Sequence, residues 1–132
     1  MAKLIAGFVG VFFAVPAIAQ IVPAADGTNT QIRTIENQID IFGGTRSRDG
    51  TNLFHSFEQF NLNSSQVANI QSNAALRNIF MRISSGDPSV INGLLQVSGG
   101  QSNLFLINPS GILFGKAARL NLPGTFSAAT AT

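Results

Sequence analysis

The chain has 132 residues, of which 45% are hydrophobic and 11% charged, and its net charge at neutral pH is +2. This length allows one domain with a sizeable core. The charged share is well below the usual ~25%, so Asn, Ser, Thr, Gln and Gly must supply most of the polar surface. The chain has no cysteine, which excludes disulfides and thiolate sites. It also has no cluster of basic residues, so we expect no nucleic-acid partner.

Residues 1–19 carry the pattern of a secretory signal peptide. Lys3 provides the positive start, and the uncharged apolar run from Leu4 to Val15 is too short to span a bilayer. Small residues precede a cleavage site between Ala19 and Gln20. We therefore expect a signal-peptide helix, export by the Sec machinery and a mature chain that works outside the cytoplasm. A buried N-terminal helix is the alternative.

The mature chain is expected to begin with a flexible arm and to continue as one domain. Residues 20–31 are rich in Pro, Gly, Thr and Asn and show little periodicity, which predicts the arm. The domain is assigned to residues 32–132. It opens with apolar residues that alternate from Ile32 to Ile41 and predict two short strands.

Phenylalanine recurs at every third position in the segment from Leu53 to Leu62. This spacing fits neither a regular strand nor a regular helical stripe, so we predict a strand with a bulge near Glu58 and Gln59, and an amphipathic helix is the alternative. The only histidine, His55, has Ser56 and Glu58 as neighbours, but no second base accompanies them. We interpret His55 as a structural residue.

Further short apolar runs alternate with turn residues along the rest of the chain. Asn92-Gly93 predicts a hairpin or corner turn, and Pro123-Gly124 another turn. The runs Leu104–Ile107 and Ile112–Phe114 are continuously apolar, and we expect two buried strands there. Between these strands, the residues Asn108, Pro109, Ser110 and Gly111 predict a tight turn in which Gly111 takes a positive φ.

Many short strands separated by Gly, Asn, Pro and Ser, without a helix after the leader, predict an all-β fold. Antiparallel sandwiches and barrels give such a pattern, and so does a parallel β-helix. Three features favour the solenoid, although composition alone leaves the sandwich open. Apolar runs are continuous, asparagine is abundant at predicted corners, and charge is scarce, which suits like residues stacked about 4.8 Å apart. Phenylalanine is expected to fill the core, since Trp and Tyr are absent.

Three segments, in this order, resemble the N-terminal secretion domain of filamentous-haemagglutinin-type exoproteins, also called the two-partner secretion or haemagglutination activity domain. They are NLFHSFEQFN at 52–61, IFMRISSGDPS at 79–89 and NLFLINPSGILFG at 103–115. The resemblance covers roughly residues 30–132. It implies a right-handed parallel β-helix that is exported through a dedicated outer-membrane β-barrel transporter, whose periplasmic domains bind the chain while it is extended or partly folded.

The resemblance also points to two tetrapeptides. The family's Asn-Pro-Asn-Gly motif matches Asn108, Pro109, Ser110 and Gly111, which are the candidate residues for partner recognition or nucleation of folding. A serine can form a local side-chain-to-backbone bond, so we expect the turn geometry to survive. The family's Asn-Pro-Asn-Leu motif keeps only its ends in Asn73-Ala74-Ala75-Leu76. The domain is also expected to be incomplete at its C-terminus, with an open last coil.

Two other functions fit the same scaffold. A polysaccharide-active enzyme needs clustered carboxylates, whereas the six acidic residues of this chain are scattered along it. We therefore expect no enzyme, no metal site and no cofactor. A surface adhesin that binds glycans, or host or neighbouring cells, is the second alternative.

Overall fold

The computed structural model describes residues 20–131, so the predicted signal-peptide helix lies outside the described residues. This part of the chain contains thirteen strands and no helix. Hence no helix in residues 20–131 is long and apolar enough to cross a membrane. In chain order the strands are β1 (Ile21–Pro23), β2 (Thr30–Ile35), β3 (Gln38–Gly43), β4 (Thr45–Arg46), β5 (Asn52–Phe60), β6 (Val67–Gln71), β7 (Asn78–Ile83), β8 (Ser89–Ile91), β9 (Leu94–Ser98), β10 (Asn103–Ile107), β11 (Ile112–Phe114), β12 (Arg119–Asn121) and β13 (Phe126–Ala129).

The strands form three sheets that the chain visits in turn. Sheet A has the strand order β12-β9-β6-β3-β2, sheet B has β13-β10-β7-β5-β1 with β4 beside β5, and sheet C has β11-β8. Successive passes through one sheet run parallel, as in β7 beside β5 and β10 beside β7. The chain therefore winds as a β-solenoid of about 4 turns. This confirms the predicted parallel β-helix and rules against the sandwich, whose neighbouring strands run antiparallel.

The interior of the solenoid is filled mainly by aliphatic side chains. One inward position of sheet B, for example, is occupied in successive coils by Leu53, Ile79 and Leu104, all buried. The prediction that phenylalanine fills the core is only partly correct. Phe57 and Phe60 are buried and pack edge to face with ring centroids 5.1 Å apart.

A second group of phenylalanines lies on the outer face of sheet B. Phe54, Phe80 and Phe105 occupy equivalent positions in three successive coils. Their rings stack with centroid distances of 5.4 Å and 4.7 Å. Alternation along a strand sends every second residue outward, and here the outward residue is aromatic in each coil. We call this group the outer phenylalanine column.

The N-terminal edges of sheets A and B are covered by antiparallel strands. β2 pairs with β3, while β1 and β4 pair with different parts of β5. The segment 20–31, expected to be a flexible arm, thus contributes β1 and the first residues of β2, and Ile21 and Thr30 are buried. Because an uncovered edge invites pairing with other chains, these strands act as a cap on the first coil.

The bulge predicted in β5 is confirmed. Ile21 and Val22 pair with Phe60 and Gln59, whereas Pro23 pairs with Phe57, so that Glu58 is the extra residue. The bulge breaks the alternation of the strand and turns both Phe57 and Phe60 inward. This accounts for the three-residue spacing between Phe57 and Phe60, whereas Phe54 lies on the opposite, outer face.

The predicted strand Ile112–Phe114 exists, but the expectation that it is buried is wrong. Leu113 is 61% exposed and points outward, as its partner Val90 in the preceding coil does. Phe114 stacks over the buried Ile91 and is still 43% exposed, because no strand of residues 20–131 lies beyond it in sheet C. The continuous apolar run therefore predicted the position of the strand correctly, but it predicted the burial of its side chains incorrectly.

Candidate functional site

The turn formed by Asn108–Gly111 lies where the chain passes from sheet B to sheet C. It connects β10 to β11, and these two strands do not pair with each other. Asn108 is 0% exposed. Its side-chain Oδ1 accepts a hydrogen bond from the Ser110 backbone N–H at 2.9 Å, and the Gly111 N–H donates to the Asn108 carbonyl at 3.0 Å. These two bonds form a closed Asx-type turn.

The same asparagine ties its turn to the preceding coil. Its Nδ2 donates to the Asp87 carbonyl at 2.9 Å and to Ser89 Oγ at 3.0 Å. The Ser89 N–H in turn donates to the Gly111 carbonyl at 3.0 Å. The side-chain amide of Asn108 is thus fully engaged inside the protein, and a partner cannot touch it without opening the turn.

The surface that this turn presents consists of its two middle residues. Pro109 and Ser110 are exposed, whereas Gly111 is half-buried and has a φ of 121°, a value that favours glycine. The predicted positive φ at Gly111 and the tight turn are therefore present. We expected a bond from the Ser110 side chain to maintain the turn. The side-chain acceptor is instead Asn108 Oδ1, which receives the Ser110 backbone N–H.

The second tetrapeptide, Asn73–Leu76, forms the same kind of turn although it lacks proline. Asn73 Oδ1 accepts from the Ala75 N–H at 2.8 Å, and the Leu76 N–H donates to the Asn73 carbonyl at 3.2 Å. Leu76 is buried in the core, whereas Ala74 and Ala75 are exposed. In both tetrapeptides the first and fourth residues hold the geometry, and the residues that depart from the family motif are exposed ones.

A third turn of this kind was not recognised from the sequence. Asn63 Oδ1 accepts from the Ser65 N–H at 3.1 Å, and the Gln66 N–H donates to the Asn63 carbonyl at 3.1 Å. The signal that could have found it is an asparagine within three residues of a strand end, since β5 ends at Phe60, β6 at Gln71 and β10 at Ile107. Asx turns are therefore a general way of ending a strand in this protein, and the turn at 108–111 is one of several.

The neighbourhood of His55 contains no catalytic relay. His55 is 2% exposed, and its Nδ1 lies 3.1 Å from Thr30 Oγ1. Ser56 instead donates its hydroxyl to Asp26 Oδ2 at 2.6 Å. Burial lowers the pKa of His55 to about 4, so the ring is neutral at pH 7. Asp26 was not singled out from the sequence, because thirty residues separate it from Ser56.

The remaining predicted site residues are the two at the cleavage site. Ala19 lies outside the described residues. Gln20 immediately precedes β1, and its carbonyl accepts a hydrogen bond from the Asn61 N–H at 2.8 Å. In the part of the chain that the structure describes, no three His, Asp or Glu side chains are grouped as a metal site would require.

Comparison with known proteins gives this architecture a family. A family model described as the TPS secretion domain matches residues 19–132. The crystal structure of the HMW1 secretion domain from Haemophilus influenzae is similar in fold, with a TM-score of 0.58 and 24% identity, over 84% of this chain and 26% of that one. The chain thus spans about a quarter of the length of that solved structure. A search among curated proteins gave no match. From the family match, which extends over nearly the whole sequence, we conclude that the chain belongs to the TPS, or two-partner secretion, domain family.

Proposed function

We propose that this domain directs its exoprotein through a dedicated outer-membrane β-barrel whose periplasmic domains bind it, and that its capped first coil seeds folding outside the cell. The leader at residues 1–19 delivers the chain to the periplasm by the Sec route and is removed between Ala19 and Gln20. The observation that carries the proposal is the family match over residues 19–132 together with a solenoid that is capped at its N-terminal end.

The physical basis is the directionality of the fold. In a solenoid each coil contacts only its neighbours, so coils can be added one after another once the first has formed. The N-terminal cap satisfies one edge of sheets A and B, and the other edge is formed by β12 and β13, which pair on one side only within residues 20–131. Each coil that forms outside the cell buries apolar surface and makes ladder bonds. This free energy favours outward movement of the chain where no ATP is present.

We further propose that the transporter contacts the exposed middle of the turn, Pro109 and Ser110, while Asn108 and Gly111 maintain its shape. This division follows from burial, since only the middle pair is accessible. It implies that recognition and stability can be separated by mutation.

The test is an export assay in cells that contain the chain and a cognate two-partner barrel, combined with urea unfolding of the purified domain. We expect Ser110→Lys to reduce export and to leave the free energy of unfolding unchanged. The matched control is Ala75→Lys, which places the same charge at the same position of the equivalent turn and should be exported normally. Asn108→Ala should lower stability by about 2–3 kcal/mol, because it removes three hydrogen bonds of a buried amide.

Two outcomes would contradict these proposals separately. Normal export of Ser110→Lys would show that the turn has only an architectural role. Accumulation of the wild-type chain in the periplasm whether or not the barrel is present would contradict the secretion function itself.

A further inference from the structure

A groove of about 340 Å³ lies on the outer face of sheet B, on the side of the solenoid that carries the outer phenylalanine column. It reaches Ile107, the residue before the turn at 108–111, but none of the four turn residues lines it, and the proposed secretion function does not use it. We call it the outer groove. Its principal lining residues are Asp26, Phe54, Ser56, Phe80, Arg82 and Ile107.

Two columns of outward side chains shape the groove. One is formed by the stacked rings of Phe54 and Phe80. The other contains Ser56, Arg82 and Ile107, which pair across three successive strands. Alternate residues of a strand are about 7 Å apart, and neighbouring strands about 4.8 Å, so the two columns lie side by side and flank a cleft that runs across the strands.

One end of the groove holds a fixed carboxylate. Asp26 accepts hydrogen bonds from the Thr28 N–H at 3.1 Å and from the Ser56 hydroxyl at 2.6 Å. These bonds lower the pKa of Asp26, the bond from Ser56 most, so the group is charged at neutral pH. A carboxylate has about four acceptor positions, and the remaining ones can accept hydroxyl groups of a ligand.

The groove also contains a guanidinium, that of Arg82. Arg82 is exposed, and within residues 20–131 it takes part in no ion pair, since the ion pair there joins Arg33 to Asp40 at 3.6 Å. A planar guanidinium fork binds a carboxylate with two parallel hydrogen bonds. The groove thus combines an apolar floor, an acceptor at one end and a cationic fork beside it.

The backbone of the floor cannot bind an added strand. β7 and β10 have a neighbouring strand on both sides, and β5 has β7 on one side and β4 and β1 on parts of the other. At Ser56, between β4 and β1, the N–H donates to Thr30 Oγ1 and the carbonyl accepts from the Ala24 N–H. Their N–H and C=O groups are used in the ladders, so a peptide could not add to this face by strand pairing. An occupant has to be held by side chains alone, which suits a compact ring with hydroxyl groups.

We propose that the outer groove binds a sugar ring that carries a carboxylate, of the uronic acid class. The carboxylate pairs with Arg82, the apolar face of the ring lies against Phe80 and Ile107, and ring hydroxyls donate to Asp26. A neutral sugar of the same shape leaves Arg82 without its partner and binds more weakly.

The test uses the ¹⁵N-labelled domain, residues 20–132, and follows amide chemical shifts in β5 and β7 during titration with methyl β-D-glucuronide. Methyl β-D-glucoside is the matched probe without the carboxylate, and acetate is the matched anion without the ring. Of these three probes, we expect only the glucuronide to give saturable shifts. The Arg82→Gln variant should bind it at least about ten-fold more weakly, because a charge-assisted bidentate contact is lost. Arg77→Gln is the control, since Arg77 is also exposed and does not line the groove.

Three results would overturn the proposal: no saturable shifts with the glucuronide, equal shifts with acetate, or equal affinity in Arg82→Gln and the wild type. Ile107→Thr gives a second measure that keeps the charge. This variant should bind the glucuronide more weakly, while the strand register, read from the same spectra, is unchanged. Unaltered affinity in Ile107→Thr would contradict the assigned position of the ring.

Discussion

Single buried polar side chains decide the geometry of this protein at several points. Thr30 is an example, since its hydroxyl accepts a hydrogen bond from the Ser56 N–H at 2.9 Å and also lies beside His55 Nδ1. Ser56 is located between the stretches of β5 that pair with β4 and with β1. The Thr30 hydroxyl therefore completes an edge that no backbone strand covers at this point.

The buried histidine leads to a prediction about pH. Burial lowers the pKa of His55 to about 4 in the folded state, whereas an unfolded chain has a value near 6.5. The unfolded state binds the proton more tightly, so stability is complete above pH 6.5 and is lost as the pH falls towards 4. Between pH 7.5 and pH 4.5 we expect a loss of about 2–3 kcal/mol, measured by urea unfolding.

The control for this prediction is His55→Gln, which cannot titrate. Asp26, Asp40 and Asp49 also have lowered pKa values and stabilise the fold while they are charged. That contribution is lost only at still lower pH, where the carboxylates take up protons. The variant should therefore keep its stability down to pH 4.5. An equal loss in both proteins would show that His55 is not the group responsible.

At the level of single residues, the turns were predictable from the sequence, whereas contacts between residues far apart in the chain were not. Proline followed by Ser-Gly indicated the turn at 108–111, and the positive φ of Gly111 followed from it. The contact between Thr30 and His55 joins residues twenty-five positions apart, and that between Asp26 and Ser56 residues thirty apart. Without the register of the strands, nothing in the sequence places such pairs together.

Strands are joined from coil to coil by ladders of side-chain amides. Asn78 Nδ2 donates to Asn52 Oδ1 at 3.0 Å, and Asn103 Nδ2 donates to Asn78 Oδ1 at 3.1 Å. Asn103 Oδ1 then accepts from the Thr125 N–H at 2.9 Å. A second ladder on sheet A links Asp40, Asn69, Gln96 and Asn121. The partners within each ladder lie about one coil apart, with separations of 26 and 25 residues in the first.

Replacing the middle residue of the first ladder tests its contribution to stability. Asn78→Ala removes two hydrogen bonds from a half-buried column and leaves Asn52 and Asn103 partly unsatisfied. We expect the free energy of unfolding to fall by about 1–3 kcal/mol. Asn121→Ala is the control, because Asn121 is exposed and makes one bond at the end of its ladder. Equal losses in the two variants would contradict a special role for the first ladder.

The existence of the strands was predictable, whereas the face on which some side chains lie was not. Apolar runs correctly marked β10 and β11. Hydrophobicity did not distinguish the core from the outer phenylalanine column, because both contain large apolar residues. The bulge at Glu58 was recoverable, since its effect on the spacing of phenylalanine is visible in the sequence.

The solenoid formed by residues 20–131 has two unlike ends. The N-terminal end carries the cap made by β1, β2 and β4, whereas apolar side chains such as Leu120, which is 51% exposed, are found at the other end. A pocket of about 360 Å³ lies there among Ile91, Phe114, Leu120 and Phe126. The difference between the ends gives the solenoid a direction that a symmetric sandwich lacks.

Removing the cap tests its importance for the whole fold. Without residues 20–31, β5 loses all three of its pairs with β1, and β3 loses two of its six pairs with β2. We expect the shortened domain to self-associate, with an increased mass in size-exclusion chromatography with light scattering, and to unfold at a lower temperature. Removal of Thr130 and the residues after it, which follow β13, is the control and should change neither quantity. A monomeric, equally stable protein without residues 20–31 would show that this part of the cap is dispensable.

The sequence predicted the architecture at this scale because the three resembling segments occur in the order typical of the family, and the family match and the solenoid confirm it. It did not predict the cap. Residues 20–31 lack strong periodicity, and their order depends on pairing with β5 and β3 rather than on local preference.

The amide ladders also determine how the molecule would respond to mechanical force. The ladder bonds run along the solenoid axis, from one coil to the next, and no covalent link other than the chain itself reinforces them. Tension applied at the C-terminal end would unfold one coil at a time. Each coil of about 25 residues would add roughly 85 Å of extended chain. Extension of residues 20–131 would thus proceed in even steps from that end, and the capped coil would be the last to yield.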